Sequence, residues 1–391
     1  MAEIYWDPFD VEIDTDPHPT WKRMRDEAPV YHNEKYAFYA LTRHHDVEAA
    51  HRDPATFSSA KGTVLEMMGN DLSSTGQIIF LDPPEHTELR QLVSRAFTPR
   101  HTAVLEDRVR GFCAGMLDAQ SGRAEFDYLQ DFGAKLPSMV ISSLLGVPEE
   151  DQETFRHAVD RMFHIEPDVG MVNEQSMAAG QEVRHYLRGL IDLRKNAPRD
   201  DLLTSLAQAG LSRRASTDFA TLLLAAGTET VARLLGWTAV VLAAHPDQRA
   251  ELAADHTLIP GAVEELLRYE APSPVQGRWT TRAVELHETV IPAESKVLLI
   301  TGAAGRDERV YPDADRFDIH RDHQAHVSFG FGIHFCVGAA LARLEGRIAL
   351  EETLKRHATW GVDHDRAVRL HTSTVRGYSR VPVLVSPNST Q

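Results

Sequence analysis

The sequence predicts a mainly α protein with a minor β portion, and three observations carry that prediction. Apolar residues recur at helical spacing through most of the chain; one uninterrupted helical pattern runs from Asp218 to His245; β-rich runs appear only near the two ends. Among the helices, "VLEDRVRGFCAGML" sets Leu105, Val109, Phe112 and Met116 on one stripe, with Cys113 beside it as a small buried apolar side chain. "LPSMVISSLLGVP" reads as a helix stopped by Gly146 and Pro148. The long pattern "DFATLLLAAGTETVARLLGWTAVVLAAH" ends at Pro246, and Glu229 and Arg233 near its middle make it a buried core helix rather than a membrane span. "YAFYALT", "KVLLITGAA" and "VPVLVS" supply the strands.

The chain has 391 residues, 25% of them charged, without a Ser/Gly-rich linker, low-complexity tract or repeat, so residues 1–391 are expected to form one domain. Forty-one basic against fifty-seven acidic residues give a net charge of −16, which disfavours nucleic acid and anionic membranes as partners. The acidic start, "MAEIYWDPFDVEID", does not resemble a secretory signal, and a cytoplasmic location is expected. The two cysteines, Cys113 and Cys336, are too few for a disulfide framework.

Cys336 lies in "HVSFGFGIHFCVGAALAR", His326 to Arg343, with glycines at 330, 332 and 338 and a helical pattern after it. Glycine permits backbone turns and close approach that a side chain would block. A helix N-terminus and nearby amides favour a thiolate, so Cys336 is placed to be an anionic ligand. Zinc would need more Cys or His at ligand spacing. A nucleophile with His334 as its base, or a purely structural cysteine, stays open on the residues alone.

"FGFGIHFCVG", Phe329 to Gly338, resembles the haem-binding loop of the cytochrome P-450 superfamily, the haem-thiolate monooxygenases. Three further stretches resemble that family in its order. "AAGTET" looks like its oxygen-activation motif, placing Ala226 beside the cofactor and Glu229 and Thr230 as the proton-delivering pair. Gly227 costs a helix about 1 kcal/mol relative to Ala, which makes sense where a ligand needs room, and a Thr hydroxyl can bond back to a carbonyl. "EELLR" supplies Glu265 and Arg268, similar to the family's Glu-x-x-Arg pair, with Arg316 of "DADRFDIHR" as the arginine closing a structural triad and Arg321 in reserve. "LDPPEHTELRQLVSRAFTPR" resembles the haem-facing helix and carries His86 and Arg90 four apart. Where the family commonly has Asn-Arg-Asp, this chain has Gly305-Arg306-Asp307.

The resemblance implies the cytochrome P-450 fold, a long central helix over a haem held by a cysteine loop. It implies haem b, iron protoporphyrin IX, with Cys336 as the metal ligand and Phe329, Gly330 and Gly338 shaping the loop. His86, Arg90, Arg278 and His334 are expected to hold the propionates, since partly buried anions need charge-assisted donors. The implied reaction inserts one atom of dioxygen into a C–H bond of a hydrophobic small molecule. Electrons would come from a ferredoxin and ferredoxin reductase, steered by a patch of Arg95, Arg100, Arg343 and Arg347; a monomer is expected. Val64, Met67, Met68, Ile78, Leu223, Ala226 and Val275 are the expected substrate contacts. A peroxide-driven haem-thiolate enzyme and a non-catalytic haem sensor are the alternatives, and neither accounts for Glu229 with Thr230.

Overall fold

The computed structural model describes residues 3–94, 105–163, 166, 172–322 and 325–385. It is mainly α with minor sheets. By its contacts the chain gathers into two compact units, each assembled from three separate segments.

The first unit takes residues 1–88, 261–337 and 369–377 and is organised by a five-stranded sheet. Its strands run in the order Val30–Asn33, Phe38–Leu41, Lys296–Ile300, Val275–Thr280 and Phe57–Ser58. Phe38–Leu41 lies parallel to Lys296–Ile300, with Leu41 opposite Leu299, and the other pairings are antiparallel. Side chains alternate between faces along a strand. Phe38, Ala40, Leu298, Ile300 and Val275 therefore face one core with Trp6, Trp21, Met24, Leu65 and Met68. Leu41, Val297 and Leu299 face another, with Val47 and Ala50 of the helix His44–Arg52 and with Val327 of the cysteine loop. That second core seats the loop.

The second unit takes residues 89–260, 338–368 and 378–391 and is mostly helical. Its longest helix, Arg213–Ala244, packs against Lys135–Leu145, Glu174–Asn196 and Ala339–Arg356. It starts five residues before the apolar pattern because the Ser212 hydroxyl caps the Ala215 amide. Its most apolar stretch is 72% buried in protein, as a core helix requires. Gly146, with φ +81°, caps Lys135–Leu145 in the left-handed conformation the sequence indicated. In the helix Glu106–Asp118 the buried stripe is Val109, Cys113 and Leu117, so Cys113 lies at its centre rather than beside it.

Glu345, in the helix Ala339–Arg356, is 2% exposed, and its Oε2 has no hydrogen-bond partner among the described residues. Burial pushes its carboxyl up to about 8. An unfolded glutamate ionises near ~4.3, so this group's stabilisation of the fold is complete below that value and is lost as pH rises through the folded pKa. Glu345→Gln cannot ionise, and its thermal midpoint is expected to gain on the parent's as pH climbs to about 8 and then keep a constant lead. Scanning calorimetry across that range checks this; a difference independent of pH would show the carboxyl already charged in the fold.

Candidate active site

The cysteine loop is built from two short turns, Val327–Phe329 and Gly332–His334, closed by the Cys336 amide donating to the Phe329 carbonyl at 2.9 Å. Gly330 and Gly332 both adopt φ +67°, which L side chains rarely enter. At Gly332 the demand is also steric, since a Cβ there would stand 2.5 Å from the His51 carbonyl oxygen. The fully buried Val327 pins the start of the loop, and the Arg52 guanidinium lies over the Phe331 ring at 4.9 Å. Cys336 emerges from this frame half-buried and not in a disulfide, and Gly338 caps the helix that follows.

Around the loop stands a set of nitrogen donors. The His86 ring, 2% exposed, meets the His334 ring edge-on at 4.4 Å, and His334 Nε2 is 3.2 Å from Ser59 Oγ. Arg278, 5% exposed, bonds its own strand at the Gly277 carbonyl (2.7 Å) and donates to His51 Nδ1 at 3.3 Å. Burial and the Arg278 charge push His51 down to about 3, so it is a neutral acceptor. Burial pulls Arg278 itself down to about 10, and Asp82, which holds Ser58 Oγ and the Ser59 amide, offsets this in part. Among the described residues Arg278 forms no ion pair with a carboxylate. A buried cation in that condition is costly, and an anion brought to it would be strongly favoured. These donors therefore fit a group that carries carboxylates. Arg90 is half-buried one turn beyond His86 in the helix Glu85–Ser94.

Sequence reading missed His51, Ser59 and Asp82. Nothing in the order of residues signals that the last turn of a distant helix lies against Arg278.

In the long helix, Ala226 is exposed and Gly227 and Thr230 are half-exposed, an open stripe within an otherwise buried rod. Thr230 Oγ1 donates to the Ala226 carbonyl at 2.7 Å, the back-bond expected of it. A methyl group at Gly227 would meet only Ile141, at an ordinary 3.5 Å, so protein packing does not require glycine there. Glu229 is buried, and burial raises its pKa against the opposing pull of Arg233, whose Nη2 is 3.3 Å from the carboxylate. Arg233 also donates to the Tyr378 carbonyl. The sequence offered Arg233 only as a charge interrupting an apolar run, yet it is the partner that holds Glu229.

Glu265 and Arg268 form a doubly hydrogen-bonded buried pair, 2.7 Å at each contact. The closing arginine is Arg321, not Arg316. Arg321 Nε reaches Glu265 Oε1 at 3.1 Å, whereas the Arg316 side chain is 68% exposed and only its carbonyl joins the network. The turn beginning at Asp313 carries Arg316 outward and brings the chain back toward Glu265 at Asp318, whose amide also donates to it.

Of the expected substrate contacts, Met68 and Val275 lie in the core beneath the sheet, and Ile78 and Leu223 are buried. Val64 and Met67 are half-buried, and Ala226 is open. In the expected basic patch, Arg95 and Arg100 lie outside the described residues. Arg347 is held by Glu106 (2.7 Å) and Glu351 (2.9 Å), which cancels much of its charge.

The family model described as Cytochrome P450 matches residues 10–377. "Putative cytochrome P450 123" of Mycobacterium tuberculosis is 39% identical over 391 residues, covering 98% of this chain and 97% of that protein. "Vitamin D(3) 25-hydroxylase" of Pseudonocardia autotrophica is 37% identical over 389 residues, covering 95% and 94%. The solved structure of cytochrome P450 CYP109Q5 from Chondromyces apiculatus superimposes with a TM-score of 0.90 at 33% identity, covering 98% of this chain and 99% of that one.

Proposed function

The chain belongs to the cytochrome P450 family and is a monooxygenase of that family, and on this premise we propose that it oxidises C–H bonds of a hydrophobic small molecule with electrons from a ferredoxin. The observation that carries the site is the half-buried Cys336 on its closed glycine loop, with the buried Arg278 cation, which forms no carboxylate ion pair among the described residues, in the same unit. Cys336 would hold the iron of haem b, and His86, Arg90, Arg278 and His334 would hold its carboxylates. Bound there, a thiolate-ligated haem supplies electron donation that favours cleavage of the dioxygen O–O bond.

The protein's own part is proton handling. Burial raises the pKa of Glu229, which Arg233 orients, and Thr230 exposes a hydroxyl whose proton points to the Ala226 carbonyl, leaving its lone pairs open to receive a hydrogen bond. That pair can hold and pass a proton along the open stripe of the helix. The half-buried Val64 and Met67 offer flexible apolar contacts, and the 25-hydroxylase relative, named for vitamin D(3), agrees with a hydrophobic substrate. The ferredoxin and its reductase, a cytoplasmic location, a monomeric state and one catalytic domain over residues 1–391 complete the reading.

Thr230→Ala tests it. The variant is expected to bind haem and substrate as the parent does but to divert reducing equivalents to peroxide, lowering product formed per electron consumed by about tenfold or more. Assaying product, peroxide and NAD(P)H consumption together checks this, and an unchanged ratio would remove Thr230 from proton delivery.

A further inference from the structure

Helix His44–Arg52 begins with two histidines and carries a glutamate one turn on. The ligand atoms of His44, His45 and Glu48 all lie within 4.8 Å of one another. Position 48 shares a helix face with both 44 and 45, at spacings of four and three. Three features make this more than a chance grouping.

The first is His44 itself. It is 4% exposed; the Ala325 backbone engages its ring, and among the described residues no close hydrogen bond reaches the second ring nitrogen. Buried polar atoms are almost always satisfied, so an imidazole anchored through one nitrogen leaves the other for a ligand. The second is preorganisation. The His44 amide is held by Asp307 Oδ2 at 2.9 Å, and the ring is wedged edge-on against Tyr311 (5.6 Å) and Phe331 (6.3 Å). Arg52 binds Glu48 through Oε1 at 2.9 Å, which leaves Oε2 turned to His44 Nδ1 at 3.8 Å, too far for a hydrogen bond. The third is chemistry. Two imidazoles and a carboxylate face one another here, and the His45 ring stands exposed, edge-on to His44 at 5.7 Å.

We propose that His44, His45 and Glu48 form a binding site for a divalent cation of the zinc class, with water completing the coordination. Two imidazoles and one carboxylate are a donor set that zinc takes readily, and neither calcium nor magnesium prefers nitrogen. Zinc bonds of about 2.0–2.1 Å require the ligand atoms to draw closer than they stand, which the exposed His45 can supply by a rotamer change. The net charge of −16 favours a cation at the surface.

The site sits at the outer end of the helix that seats the cysteine loop. His44 touches Phe331 at one end of that helix, and Arg52 and the His51 carbonyl meet Phe331 and Gly332 at the other. A metal there would fix the His44 ring and loosen the hold of Glu48 on Arg52, so occupancy reaches the loop through Phe331.

Titrating haem-loaded protein with zinc chloride in a non-coordinating buffer, by calorimetry and by competition with a zinc indicator, tests the proposal. One zinc per chain is expected to be lost or weakened at least about tenfold in His45→Ala and in Glu48→Gln. Both changes fall on side chains that are not buried, so circular dichroism and haem content should match the parent, whereas His44→Ala removes core packing and is the less decisive variant. Since the chain has 20 histidines, the contrast between parent and variants is the readout. Identical titrations of parent and both variants, or no stoichiometric binding in the parent, would overturn the site.

Discussion

Glu265→Ala is expected to remove about 3–5 kcal/mol from the fold, the usual cost of leaving a buried charge without its partner. Glu265 is fully buried and Arg268 is 2% exposed. The glutamate also accepts from Arg321 Nε at 3.1 Å and from the Asp318 amide at 2.9 Å. Arg268 spends its other nitrogens on the carbonyls of Gly305, Ala314 and Arg316. One carboxylate thus neutralises two guanidinium groups and ties the segment around residues 305–321 to the helix Ile259–Tyr269. Without it, a buried Arg268 keeps its carbonyl acceptors but loses its counter-charge. Low yield of haem-containing protein and a thermal midpoint several degrees below the parent are the expected outcome. Glu265→Gln, which keeps acceptor and shape but not charge, should fall between. A Glu265→Ala protein that expresses and melts like the parent would show that the network is ornamental.

The second large effect falls on chemistry instead of stability. Cys336→Ser is expected to abolish turnover while leaving the fold nearly intact. The bond that closes the loop runs from the Cys336 amide to the Phe329 carbonyl and does not involve the side chain. Cys336 is half-buried, so exchanging sulfur for oxygen costs little packing. What changes is the donor, because a serine hydroxyl stays protonated at neutral pH and cannot replace a thiolate as an anionic, electron-donating ligand. Turnover at background with an unchanged far-UV circular dichroism spectrum is the expected pair of results. Retained turnover would take Cys336 out of the reaction.

Local chemistry was legible in the sequence and long-range partnership was not. The glycines at 330 and 332, the stop at Gly146, the strand at Phe38–Leu41 and the back-bonded Thr230 all follow from residues within a few positions of one another. The sheet pairs Phe38 with Lys296 across more than 250 residues, so no linker or composition change could announce the two units. Arg233 was visible as a charge, but its partnership with Glu229 depends on burial that hydropathy alone does not assign. Arg316 and Arg321 are both plausible in one dimension; the turn between them decides which returns to Glu265. The start of the long helix was misplaced because Ser212 caps it ahead of the apolar pattern.

The account rests on the sulfur of Cys336 bonding the haem iron, and the absorption spectrum of the ferrous carbon-monoxide complex reads that bond directly. The protein is expected to show the strongly red-shifted band of a thiolate-ligated haem and the Cys336→Ser variant to lack it. A parent spectrum without that band in correctly folded, haem-loaded protein, or a variant that keeps it, would contradict the assignment of Cys336 as ligand.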